Sequence, residues 1–227
     1  MPTILLHQWE MSPFCNKVRR ALRHKGLAFE TRNYNGLQAR LAGKLSAAGT
    51  LPVLDYDGER VVDSSAIAAL LDRKHPERPL YPTVPEALAL VRFWEDWAGQ
   101  SLYFAEIHLR MLDPQAMEKA LDLICEGRPR WERTLLRMVL RRRYSKKLKA
   151  QGIGKMSREQ VEQRVLLQVE GLEAILAKRP FLVGESMSIA DLSVAAQLDE
   201  IARTSRIGSK IAAFSSVAAW MVRTDSR

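Results

Sequence analysis

The 227-residue chain is 47% hydrophobic and 27% charged, a globular composition that excludes a disordered, collagen-like or mucin-like polymer. A chain of this length buries a core without covalent staples, and two cysteines, Cys15 and Cys125, exclude a disulfide scaffold or a cysteine-built zinc site and suit a reducing compartment. The net charge of +9 is concentrated in residues 128–149, where ten Lys/Arg face one acid, Glu132, a surplus equal to that of the whole chain.

No apolar run approaches the roughly 18 residues of a membrane span, and MPTILLHQWE lacks a basic leader with a cleavage site, so a cytoplasmic protein is expected. Thr3–His7 has strand length. The run SPFCNKVRRALRHKG then places Ser12 at an N-cap, Pro13 at N1 and Gly26 past the last turn, which predicts a helix. Ala28–Asn33 reads as a second strand and Leu37–Leu45 as a second helix. LPVLDYDGERVVD reads as a hairpin turning at Asp57-Gly58, and SSAIAALLDRKHP as an amphipathic helix that stops before Pro76.

Four prolines, Pro76, Pro79, Pro82 and Pro85, mark a linker, and beyond Glu86 no strand is predicted. Helical periodicity runs over Ala87–Met111, with Leu90, Trp94, Trp97 and Leu102 as core candidates. Pro129 opens a basic helix that Gly152 and Gly154 close. Further helices are predicted over Ser157–Lys178, from Ser188-Ile189-Ala190-Asp191 (a capping box with Asp at N3) to about Arg203, and over Ala213–Val222. The expected organisation is an α/β domain over 1–77, a linker over 78–86 and an all-helical domain over 87–227.

This order, with SPFCNKVRRAL after the first strand, TLPVL at the hairpin, DSSAI opening the third helix and SIAD in the helical half, resembles the cytosolic glutathione transferase superfamily. The resemblance spans nearly the whole chain and implies a thioredoxin-like domain followed by an all-helical one. SPF with its basic-Val-Arg sequel is most similar to the serine-type transferases, whereas Cys at the fourth position of the motif is similar to the omega and glutaredoxin-like branches. The class stays open.

Ser12 reads locally as a simple cap. In the family context the helix end supplies free N–H groups and a positive dipole, and a serine hydroxyl there stabilises the thiolate of bound glutathione. Phe14 belongs to the same motif. Cys15, three residues on, is either a small buried apolar residue or a redox thiol that lacks its C-x-x-C partner. Cys125 reads as core.

The resemblance implies a cis bond before Pro52, with Thr50, Leu51 and Pro52 at the cysteinyl part of glutathione; an edge-strand proline is the plainer alternative. Asp63 and Ser64 read either as a helix cap or as the pair that captures the γ-glutamyl ammonium and carboxylate. For the glycyl carboxylate, Gln38 falls near the family's basic position, with Arg40 and Lys44 close by. Met11, Phe104, His108 and Met111 are candidate walls for the electrophile. His7, His24, His75 and His108 lack metal-ligand spacing and no phosphate loop is present, so neither metal nor nucleotide is expected.

In the basic helix, Arg130, Arg133, Arg137 and Arg141 share one face and Trp131, Leu135, Met138 and Val139 fall on another. Such a face is either simply solvated or a docking surface for an acidic protein, anionic lipid or nucleic acid. QGIGKMSREQ is similar to a segment of metaxin-related proteins, some of which serve as binders. The sequence therefore predicts a homodimeric glutathione transferase acting on small hydrophobic electrophiles. The alternatives are a thiol transferase using Cys15 and a non-catalytic binder acting through residues 128–149.

Overall fold

The computed structural model describes residues 2–225. Strand β1 (Ile4–Gln8) leads into helix α1 (Pro13–His24), whose N-cap Ser12 accepts the Cys15 N–H on its Oγ at 3.4 Å. Arg23 and His24 in the last turn complement the dipole. Strand β2 (Glu30–Asn33) is shorter than its expected span. The helix expected over Leu37–Leu45 is instead a 3₁₀ segment, Gly36–Lys44: it contains Gly36 and Gly43, and Asn35 gives it no side-chain cap.

Strands β3 (Val53–Tyr56) and β4 (Glu59–Val62) form the expected hairpin, with Asp57 at φ 48° and Gly58 at φ 85°, the signs a two-residue type I′ turn requires. Helix α2 (Ser64–Lys74) starts at Asp63, whose Oδ1 accepts the N–H groups of Ser65 and Ala66 at 2.8 and 3.1 Å. The sheet order is β2-β1-β3-β4, parallel between β1 and β2 and antiparallel elsewhere, with Leu6 opposite Leu54. This is the expected thioredoxin-like layout.

Asp55 on β3 accepts both Arg60 Nε and Nη2 at 2.7 Å and lies 3.0 Å from His7 Nε2. These contacts, led by Arg60, hold its carboxyl down at about 2. Because the folded value lies below the unfolded one, the stabilisation is complete above about pH 4 and vanishes as pH falls toward 2. Asp55→Asn should therefore cost about 1 kcal/mol at pH 7, after solvent screening, and only a small fraction of that at pH 2. Urea midpoints at the two pH values check this; an equal loss at both would remove the ion pair as the cause.

The helical half comprises α3 (Pro85–Trp97), a π-turn at Ala98–Leu102, α4 (Tyr103–Leu112), α5 (Pro114–Ile124), α6 (Arg130–Gln151), α7 (Arg158–Leu176), α8 (Ile189–Thr204), α9 (Gly208–Ala212) and α10 (Ser215–Thr224). Among the described residues no strand follows β4, as expected. Helix α3 begins inside the segment expected as linker, because Pro85 serves as its N1 residue. The outermost bounds of the expected domains, residues 1 and 227, lie outside the described residues.

One apolar core runs through both halves, from Leu6, Leu22 and Leu54 to Val165, Leu198 and Trp220. Helix α1 packs on α8, where buried Arg20 pairs with Asp199 and donates to Asn16 Oδ1 at 3.2 Å and Thr224 Oγ1 at 3.3 Å. Glu132, the one acid of the basic segment, accepts the Leu37 N–H at 2.9 Å and an Arg128 nitrogen at 2.5 Å, tying α6 to the 3₁₀ segment. A Cβ on Gly36, at φ +60°, would run into that carboxylate.

Two expectations about burial are corrected. Leu90 is 43% exposed on α3. On α6, Trp131, Met138 and Val139 face solvent at 60%, 62% and 48%, while Leu136, Leu140 and Leu148 are buried in their place. The stripe that meets α4, α5 and the 3₁₀ segment is one position away from the stripe the periodicity favoured.

Candidate functional site

A cleft of about 470 Å³ separates the two halves. Its floor is the start of α1, with Ser12, Pro13 and Phe14; one side is Thr50, Leu51, Pro52, Asp63 and Ser64. The opposite wall comes from Tyr103, Phe104 and Arg110 of α4 and from Leu136, Leu140, Arg143, Tyr144 and Lys147 of α6. Seven of the expected glutathione-site residues, Ser12, Phe14, Thr50, Leu51, Pro52, Asp63 and Ser64, thus share one hollow.

The local structure explains each placement. Ser12 N–H bonds back to the Trp9 carbonyl at 2.9 Å, a turn that lifts the hydroxyl to the mouth of the helix, where it caps α1 and lines the cleft at once. The Leu51–Pro52 peptide is cis, and strand β3 begins only at Val53. At the α2 end, Asp63 uses Oδ1 for the cap while Ser64 is buried with its Oγ 3.4 Å from Lys17 Nζ. Lys17 also donates to Ser65 Oγ at 3.0 Å and Glu95 Oε1 at 2.5 Å. A smaller polar recess of about 220 Å³ adjoins this corner, lined by Asp63, Ser64, Ser65, Glu95, Asp96 and Gln197, among others.

Beneath Ser12 lies a buried ionic cluster. Arg110 donates from Nη1 to the Met11 carbonyl at 2.8 Å and from Nη2 to Glu106 Oε2 at 3.1 Å, with Glu200 Oε2 at 3.8 Å. Burial holds the Glu106 and Glu200 carboxyls above their usual range, and the guanidinium opposes this. Arg110 therefore anchors the peptide that precedes Ser12 and has its charge matched from below.

A family model for the glutathione S-transferase N-terminal domain matches residues 6–79, and one for the C-terminal domain of the same family matches 134–227. The chain belongs to the glutathione S-transferase family. An isoprene-epoxide–glutathione S-transferase of Rhodococcus sp. (strain AD45) is 26% identical over 196 residues, 85% of this chain and 81% of the relative. A maleylacetoacetate isomerase of Dictyostelium discoideum is 27% identical over 211 residues, covering 86% and 78%. Among solved structures, the beta-etherase LigF of Sphingobium sp. strain SYK-6 superposes with a TM-score of 0.70 at 21% identity, over 99% of this chain and 96% of that one. FzlA of C. crescentus superposes with a TM-score of 0.68 at 22% identity, covering 99% and 88%. Both confirm the fold.

Within this transferase fold several expected site residues lie elsewhere. Met11 and Met111 are 1% exposed core residues, and buried His108 engages the Met156 carbonyl from Nε2 at 3.3 Å; of the expected electrophile wall only Phe104 reaches the cleft. The α4 face bearing Met111 and His108 turns inward, because α7 and α8 pack on it. Gln38, Arg40 and Lys44 are exposed and outside the cleft, whose 3₁₀ side is made by Gly36, Ala39 and Ala42.

Cys15 is fully buried, its Sγ accepting the Trp9 N–H at 3.5 Å. Burial pushes its thiol up to about 11, outweighing the Ser12 and Trp9 contacts. That environment does not make a redox thiol. Alkylation by iodoacetamide in the native protein is expected to run at least about 100-fold slower than for a free thiol of pKa near 8.5. Mass spectrometry of a time course, with Cys125 as the internal comparison, checks it; labelling at the free-thiol rate would restore Cys15 to the site. Cys125, expected in the core, is half-buried at the end of α5.

The sequence reasoning missed Trp9, Tyr103, Arg110, Arg143, Tyr144 and Lys147, all cleft residues. On α6 the signal was present as the spacing 136, 140, 143/144, 147, one helical stripe, but the basic face read from the sequence was Arg130, Arg133, Arg137 and Arg141.

Proposed function

We propose that the cleft binds glutathione with its sulfur against the leading edge of α1 and conjugates it to an electrophile held between α4 and α6. The observation that carries this reading is the convergence of Ser12, Leu51-Pro52 and Asp63-Ser64 on one hollow. Glutathione lies along the side opposite α6. The Leu51 backbone pairs with its cysteinyl unit as an added strand, and Ser64 with the amides heading α2 takes the γ-glutamyl carboxylate. The ammonium group faces Asp63, whose Oδ2 has no hydrogen-bond partner among the described residues. The adjoining recess carries Glu95 and Asp96 beside Asp63, with Lys17 and Arg92 among its other walls.

In the reaction the thiol releases its proton to solvent, and Ser12 Oγ–H donates to the thiolate while the end of α1 stabilises its charge. The sulfur then forms a bond to the electrophilic carbon, whose leaving group departs with the bonding pair. Lowering a thiol pKa by about two units takes roughly 2.7 kcal/mol, within reach of one charge-assisted hydrogen bond plus a helix end. Titration calorimetry with glutathione tests the first half: saturable binding at or below millimolar levels is expected, and no heat would sink it. A cytoplasmic homodimer belongs to the same reading; light scattering at twice the 25.8 kDa chain mass is the expected result.

The names of the relatives cover an epoxide transferase and an isomerase. The acceptor is therefore best read from the cleft itself.

A further inference from the structure

The α4–α6 wall of the cleft is cationic and aromatic at once. Arg143 and Lys147, one turn apart on α6, both line it. Lys147 Nζ sits 4.9 Å from the Tyr103 ring centroid, 5.3 Å from that of Phe104 and 3.5 Å from the Tyr103 hydroxyl. The Phe14 ring tilts against Tyr103 at 4.9 Å, closing the aromatic surface toward Ser12.

Three of the ten cations of the basic segment have carboxylate partners, Arg128 with Glu132, Arg133 with Glu118 and Asp122, and Arg137 with Glu118; of the others, Arg143 and Lys147 line the cleft. Arg110 is matched by Glu106 and Glu200. Arg143 and Lys147 have no carboxylate partner among the described residues. The cleft's acidic residue, Asp63, belongs to the α2 corner. Partial burial and the neighbouring Arg143 push the Lys147 ammonium below its usual range, as befits a cation with no counter-charge.

We propose that Arg143 and Lys147 form a carboxylate subsite for the second substrate, so that the cleft takes an aryl or conjugated acid bearing an electrophilic carbon. This rests on the glutathione-conjugating reading above. The acid's planar body lies on Phe14, Tyr103 and Phe104, its carboxylate reaches the two cations, and its reactive carbon is turned toward Ser12. With an aryl chloride, the thiolate forms the carbon–sulfur bond at the ring carbon bearing chlorine. The σ-adduct then expels chloride with its bonding pair, the thiol proton having gone to solvent. A neutral electrophile gains the aromatic contacts alone.

The test compares 4-chloro-3,5-dinitrobenzoate with its methyl ester as acceptors at saturating glutathione. The ratio of their kcat/KM values is followed across variants, which cancels their intrinsic difference in reactivity. The double variant Arg143→Gln/Lys147→Gln is expected to lower the acid-to-ester ratio by about tenfold, chiefly through the KM of the acid. Arg143→Lys/Lys147→Arg, which keeps both charges, should restore most of it. Arg142→Gln removes the same kind of charge from the solvent side of α6 and should leave the ratio unchanged.

An unchanged ratio in the double variant overturns the subsite, and an equal fall in Arg142→Gln reduces it to a general field. A rise in the KM for glutathione that disappears with the glycyl ethyl ester of glutathione would hand the two cations to the cosubstrate and overturn the assignment. If the wild type consumes neither acceptor while glutathione still binds, conjugation itself fails and the subsite with it. If both acceptors are consumed and the double variant leaves their ratio unchanged, conjugation stands and only the subsite fails.

Discussion

Replacing Ser12 with alanine should lower kcat/KM for conjugation by about 30-fold and move the alkaline rise of its pH profile upward by more than one unit. The lost contact is a hydroxyl hydrogen bond to a thiolate. Hydrogen bonds to charged groups are worth roughly 1.5–3 kcal/mol, and about 2 kcal/mol corresponds to about 30-fold. The helix end remains in Ser12→Ala, so activity falls without disappearing, and glutathione affinity at low pH, where the thiol is protonated in both proteins, should barely change. Ser12→Thr keeps the hydroxyl and should retain most turnover.

The same substitution removes the cap on the Cys15 N–H, a structural cost of about 1 kcal/mol that a urea midpoint reports separately. The kinetic and structural roles of the hydroxyl are thus separable. If kcat/KM and its pH profile stay as in the wild type while the midpoint falls, Ser12 is a cap and nothing more.

The largest structural effect is expected at Asp191. Its side chain is completely buried at the start of α8, with Oδ1 accepting the Leu182 N–H at 2.8 Å and the Trp220 indole N–H at 2.9 Å. Oδ2 accepts the Ser188 N–H at 2.9 Å and its hydroxyl at 3.1 Å. One carboxylate therefore joins the loop before α8, the helix start and the fully buried Trp220 of α10. Asp191→Ala strands three buried N–H donors. At roughly 1–3 kcal/mol each, with some relaxation, the expected loss is about 4 kcal/mol, a large share of the stability of an ordinary domain. Asp191→Asn keeps one accepting oxygen and turns an NH₂ toward the other two donors, so it should cost about half as much. Urea unfolding followed by Trp fluorescence measures both. Losses below about 1 kcal/mol in the alanine variant would show that water replaces the carboxylate there.

How much of this was legible beforehand depends on whether the determinant was local. Ser12-Pro13, Asp63-Ser64 and Ser188–Asp191 set helix starts through contacts within three residues, and each helix begins where those residues say. Helix α5 was missed although Asp113-Pro114 carries the same signal, with Asp113 Oδ1 accepting from Gln115 and Ala116 at 2.8 and 3.0 Å. The break at Ala98–Leu102 is different: the periodicity of Leu90, Trp94, Trp97 and Leu102 fits one straight helix, and the π-turn rotates the residues beyond it. Beyond it, the α4 face carrying His108 and Met111 turns into the core while Tyr103 and Phe104 take the cleft.

The sequence by itself determined the order of elements in the α/β half, the caps, the Asp57-Gly58 hairpin and the set of residues that meet at the head of α1 and α2. All of these follow from backbone geometry over a few residues, or from motifs whose spacing survives in the linear chain. Only the tertiary structure decided that Cys15 is buried with its Sγ on the Trp9 N–H, that Trp131 and Met138 face water, and that Arg143 and Lys147 line the cleft with no carboxylate partner among the described residues. Which stripe of a helix is buried depends on the neighbours that cover it, and for α6 those neighbours are α4, α5 and a 3₁₀ segment about 100 residues earlier. A charged side chain acquires its role from the charges brought beside it by folding, and that information is distributed over the whole chain.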